Sequence, residues 1–169
     1  VLVAAVIRGE SIQLEPLHVL LAARTHVERS DWSVRLTTMD GAEHESAVRV
    51  AKVSDSDDDH LLGLVADVGP LRSVELLHHG TVVLRQLAQP VSLTSVRVSR
   101  VDGQHVRVEW NATAAPFLSV AHFGGERATL TLRARGGSVV VAHDGLEGGE
   151  LELSASSGVA SVRQRVAMP

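Results

Sequence analysis

A chain of 169 residues with 44% hydrophobic content can bury a core, and without cysteine it can hold neither a disulfide nor a thiolate-bound metal. Its aromatic residues are Trp32, Trp110, Phe117 and Phe123, with no tyrosine, so that core is aliphatic. Few rings and a net charge of -4 argue against base or sugar stacking and against phosphate neutralisation, which sets nucleic acid aside as a partner.

The opening VLVAAVI is too short to cross a membrane as a helix and has no basic stretch before it, so Val1 to Ile7 reads as a strand and not as a targeting or membrane segment. A start at Val is read as a piece of a longer chain. Alternating or β-branched runs then recur between Gly, Pro, Asp and Ser, with no uninterrupted helical stripe. The predicted strands are Leu17 to Ala23, Trp32 to Met39, Ala47 to Val53, Leu61 to Ala66, Ser73 to His78 and Thr81 to Leu87. Asp40-Gly41 and His79-Gly80 supply tight turns, because both place glycine where positive φ costs little.

Pro90 interrupts the pattern, and a boundary is placed there, giving 1–89 and 91–169 as two domains. After it come Ser92 to Arg100, His105 to Asn111, Phe117 to Ala121, Ala128 to Ala134, Ser138 to Ala142, Gly149 to Ala155 and Val159 to Val166. Turns are expected at Asp102-Gly103, Gly124-Gly125, Gly136-Gly137, Asp144-Gly145 and Ser157-Gly158. Each half holds the strand number of a small sandwich, so the expected fold is all-β, two tandem antiparallel β-sandwich domains. A single large sandwich or barrel is the alternative. In the last hairpin Leu151, Leu153 and Ala155 share a face, as do Val162, Val166 and Met168, while Arg163 and Arg165 take the other. That hairpin is expected to close its own domain.

The stretch "VRVEWNATAAPFLSVAHFGGERATL" resembles the part of immunoglobulin-like and fibronectin type III-like repeats in which a Trp opens a strand and a Tyr-Ser strand leads to an Asp-Gly-Gly turn. Trp110 stands at the opening Trp, His122-Phe123 at the Tyr-Ser and Gly124-Gly125 at the turn. "LEGGELELSASSGVASVRQRVAMP" is similar to the ending of such repeats, with Ser157-Gly158 at an Asp-Gly. The resemblance covers mainly 91–169. It implies tandem sandwich modules of large secreted bacterial proteins, extracellular or at the cell envelope, and it transfers no catalytic residue.

Asp55, Asp57 and Asp59 lie at alternate positions of an acidic run that ends in His60, the arrangement by which a Ca²⁺ loop supplies oxygens. The run has no internal Gly for a sharp turn and no closing Glu. It is read as a solvated loop that keeps its strands from pairing edge to edge, with Ca²⁺ the one cofactor left open. The nine histidines lack zinc spacing: adjacent residues on a strand face opposite ways, so His78 and His79 cannot share an ion from a regular ladder. They are taken as surface or half-buried residues. No G-x-S-x-G lies between a strand and a helix, so no catalytic residue is assigned and the chain is not read as an enzyme. Trp32 and Trp110 are read as core rings at the heads of strands. Asn111-Ala112-Thr113 is a formal glycosylation sequon, and the glycine pairs precede strands, where no helix end offers a phosphate cradle.

The expectation is a non-enzymatic spacer or protein-interaction module of a larger protein, partnered by neighbouring domains or another protein. Two other readings stay open, a subunit that polymerises by strand exchange and a module that binds protein or glycan through its loops.

Overall fold

Residues 1–17, 30–52, 58–124, 126–143 and 148–169 are described in the computed structural model. Every regular element among them is a β-strand, and every pairing is antiparallel. The chain divides into two compact units, Val1–Gln89 with Gly158–Ala160, and Pro90–Ser157 with Ser161–Pro169.

In the first unit, β1 (Leu2–Arg8), β2 (Ser11–Leu14), β5 (Arg49–Lys52) and β6 (Asp59–Leu64) form one sheet in the order β2-β1-β6-β5. A second sheet holds β3 (Trp32–Thr38), β4 (Glu43–Ala47), β7 (Leu71–His78) and β8 (Thr81–Leu87) in the order β4-β3-β7-β8. Period-two alternation sends Val3, Ala5 and Leu61 of the first sheet into the same core as Val34, Leu36, Val74 and Leu76 of the second. Each of these valines and leucines contributes about 1.5 to 3 kcal/mol by leaving water. Gly63 makes room within it. A β-carbon there would stand 2.4 Å from Cγ1 of Val48, which is buried.

Val159 belongs to this core, and the Leu17 N–H donates to the Gly158 carbonyl at 2.9 Å. The strand expected at Leu17 to Ala23 falls almost wholly outside the described residues. Two strands were not foreseen, β2 and β4.

The second unit repeats the plan with fewer strands. β9 (Arg97–Arg100), β10 (His105–Glu109) and β13 (Ser138–Ala142) form a sheet ordered β13-β10-β9. β11 (Phe117–Gly124), β12 (Glu126–Ala134), β14 (Glu150–Ser156) and β15 (Ser161–Ala167) form another, ordered β12-β11-β14-β15. Val106, Val108 and Val141 from one sheet share a core with Leu118, Val120, Leu151 and Leu153 from the other. Val162, Val166 and Met168 pack against it, so the terminal hairpin sits in the ladder of its own sheet.

Trp110 is 6% exposed and lies in that core, with its indole N–H donating to the Ala115 carbonyl at 2.8 Å. It does not open a strand. It follows the end of β10, where its backbone N–H donates to Gly137 at 2.9 Å, so the ring enters the core from a strand's exit. Trp32, at the head of β3, is partly buried against the first core.

Candidate functional site

The residues that converge most closely lie at one end of the second sheet. His79 and Gly80 form the β7–β8 turn with φ of 49° and 77°, the two successive positive values that a two-residue hairpin of the right twist requires. The turn is tied to the start of β3, because the His79 N–H donates to the Asp31 carbonyl at 2.7 Å and the His79 ring stands 3.6 Å from the Asp31 carboxylate. His78, still on β7, stacks on Trp32 with ring centroids 4.3 Å apart, and the His79 ring tilts against it at 4.2 Å. The strand geometry that separates adjacent side chains therefore does not hold here. His79 has left the ladder, so its ring returns beside that of His78.

Next to this stack opens a cleft of about 510 Å³, lined by Ser30, Asp31, Ser33, Glu45, Ser46 and the His79-Gly80 turn. Its polar groups are held by strand register: Ser33 faces Ala47, and Arg35 faces Glu45 across the β3–β4 pair. The Ser33 hydroxyl donates to Glu45 at 2.7 Å, while Arg35 reaches the other carboxylate oxygen at 3.1 Å. The Ser33 hydroxyl first and Arg35 second hold Glu45 below the usual carboxylate range. Glu45 is thus an acceptor and not a proton donor at neutral pH. Ser33 spends its proton on that carboxylate, and Ser30 accepts from the Trp32 N–H at 3.1 Å. Among the described hydrogen bonds none joins a serine to His79, and the groups that line the cleft are mostly polar.

The outer end of the same row of residues is charged throughout. Glu45, Arg35, Glu75 and Arg85 are cross-strand partners from β4 to β8, with contacts of 3.1, 3.3 and 3.4 Å. Sign alternates along this row from β4 to β8, with Glu43 a second carboxylate 3.8 Å from Arg35. The second unit also sets a carboxylate between arginines, with Arg127 at 3.0 Å and Arg165 at 3.6 Å from Glu152, and Arg165 lies 4.0 Å over the Phe123 ring.

Of the metal candidates, Asp55 and Asp57 lie outside the described residues. Asp59 opens β6 with Lys52 Nζ at 4.0 Å, and its neighbour Asp58 accepts from Arg8 at 2.8 Å. Among the described residues no group of three His, Asp or Glu side chains is placed to hold a metal. Two histidines are not the surface or half-buried residues expected: His122 is 2% exposed and His143 is 8% exposed. His122 Nε2 lies 2.8 Å from the Gly148 carbonyl. Its apolar neighbours in "FLSVAHF" were the available signal, since it shares the inward phase of Leu118 and Val120. Asn111 is exposed, and its side-chain oxygen accepts from the Thr113 and Ala114 backbone at 2.9 and 3.3 Å, a local turn. The glycine pairs at 136 and 148 are turns as well, with φ between 67° and 84°.

The described chain is an all-β protein of antiparallel sheets, and no helix among its described residues is long and apolar enough to cross a membrane. No family model matches the chain, and no curated protein matches it.

Proposed function

We propose that the chain is a pair of β-sandwich domains of the immunoglobulin and fibronectin III type, serving as a non-enzymatic spacer and protein-interaction module. The observation that carries the fold part of this reading is strand order. An immunoglobulin sandwich sets strands A, B, E and D in one sheet and C, F and G in the other, with C′ beside C. In the second unit β9-β10-β13 reads as A-B-E and β12-β11-β14-β15 as C′-C-F-G. In the first unit β4-β3-β7-β8 reads again as C′-C-F-G, and β1, β6 and β5 as B, E and D, with β2 in the place of A. Trp32 then falls on strand C, where such sandwiches keep their core tryptophan.

The resemblance of 91–169 to repeats of large secreted bacterial proteins supports a place outside the cell or in its envelope, joined to further domains. A shared fold hosts many functions, so the interaction role rests on the surface and not on the strand order. Light scattering coupled to chromatography, across a wide range of protein concentration, tests it. A particle whose mass stops growing fits the module. Growth into open-ended chains overturns it and establishes the strand-exchange subunit.

A further inference from the structure

An edge strand presents a row of unpaired N–H and C=O groups, and proteins blunt such edges with charge, bulges or shortness. Most edges described here are blunted in one of these ways. β4 carries Glu43, His44 and Glu45, and β15 carries Arg163 and Arg165. β12 breaks register twice and holds Arg133 at a φ of 56°, while β2, β5 and β9 are 4 residues long. β13 has 5 residues and exposes one large apolar side chain.

β8 differs. It runs for 7 residues at the edge of its sheet and exposes Val82 at 44%, Val83 at 42% and Leu87 at 53%. A register shift opposite Leu76 and Leu77 leaves both valines exposed. Its only charge is Arg85, the last member of the alternating row that begins at Glu45. That row runs minus, plus, minus, plus and ends on a cation at the edge. Arg85 meets Glu75 through Nε, which leaves the two terminal amino groups of the fork for another carboxylate.

We propose that β8 is a docking edge for an extended strand of a partner protein, which places a carboxylate opposite Arg85 and apolar side chains two positions to either side. Main-chain hydrogen bonds supply the affinity of such an added strand, and alternate side chains its selectivity. Residues two apart share a face, so one flanking apolar residue covers Leu87 and the other covers the valine pair. The inference deepens the interaction-module reading by naming its surface and its partner's chemistry.

The test uses the whole chain, labelled with nitrogen-15, and a blocked synthetic peptide Thr-Val-Thr-Glu-Thr-Val-Thr as probe. Titration is expected to give saturable shift changes at Thr81–Leu87 and their partners on β7. A peptide with Lys in place of Glu binds about tenfold more weakly, the size of a modest interfacial charge pair. Val82→Lys combined with Leu87→Lys abolishes binding without moving the melting temperature, since both sites are exposed. Arg85→Gln removes the preference for Glu over Lys. The proposal is overturned by an absence of shifts at millimolar peptide, by shifts at another edge, or by equal binding of the two peptides. A dimer of the chain alone that Val82→Lys dissolves also overturns it, assigning the edge to a second copy. These outcomes are read at one strand, whereas failure of the module reading is read as open-ended growth in mass.

Discussion

Removing the Trp110 ring tests the second core most directly. Truncating a buried Trp to Ala costs about 3 to 5 kcal/mol through lost transfer energy and the cavity left behind. The indole N–H also satisfies the carbonyl of Ala115, a fully buried residue, and orphaning that acceptor costs about 1 to 3 kcal/mol more. The sum, about 4 to 8 kcal/mol, is comparable to the whole stability of a small domain at about 5 to 15 kcal/mol. Trp110→Phe separates the two parts, because it keeps most of the ring and loses the donor. With a urea dependence of about 1 to 3 kcal/mol per molar, the Phe variant is expected to unfold about 1 M earlier than the parent. Trp110→Ala is expected to lose its folded baseline or to shift by about 2 M or more. Circular dichroism in the far ultraviolet follows both transitions. A Trp110→Ala variant with the parent's midpoint refutes the reasoning, since a ring that packs a core and caps a carbonyl cannot be removed at no cost.

Glu75→Gln takes the charge from the centre of the four-strand row, and since Arg85 is largely exposed the expected loss is only about 0.5 to 1 kcal/mol. Thermal melts at low and high salt check it, because that loss shrinks on screening. Asp102 is held below its ordinary value of 3.8, first by the backbone N–H of Gln104 and then by the His105 ring. A depressed carboxylate stabilises the fold above its unfolded pKa and loses that contribution as pH falls through the lower folded value, so melting temperatures measured below about pH 4 should fall less steeply in Asp102→Asn. EDTA and millimolar Ca²⁺ are expected to leave the melting temperature unchanged, whereas a site filled to a hundred times its dissociation constant adds about 2.7 kcal/mol, a shift of several degrees.

Strands whose two faces differ were legible from the chain alone. β8 and β13 fall on the predicted residues, because hydrophobic runs between clear turns leave little choice of boundary. β4 was not, since Glu43-His44-Glu45-Ser46 is polar on both faces, and its place at an edge against Arg35 follows from pairing that no local period records. β2 is four residues between Gly9-Glu10 and Pro16, short enough to read as a turn. β9 begins later than expected because Val91, Leu93 and Val96 pack on the core without joining the ladder. The phase of Trp110 misled for a related reason: a large apolar residue between two strands belongs equally well to the end of one or the start of the next. The cleft was least legible, since Ser30 to Ser33, Glu45 to Ala47 and His79-Gly80 are distant in the chain and meet only through the order β4-β3-β7. The His78–His79 stack depends on a backbone reversal at His79, which a period of two cannot express.

Val159 gives the first unit an unusual timetable. Ribosomes deliver residues in order, at about 5 to 20 per second, and early domains ordinarily settle while later ones are still being made. Here the core formed by residues as early as Val3 includes Val159, and Leu17 waits for the Gly158 carbonyl. The nascent first unit therefore emerges with a gap in its interior, to be filled only after the intervening 90–157 have been translated. Closing so long a loop adds to the entropic cost of the final step of its assembly.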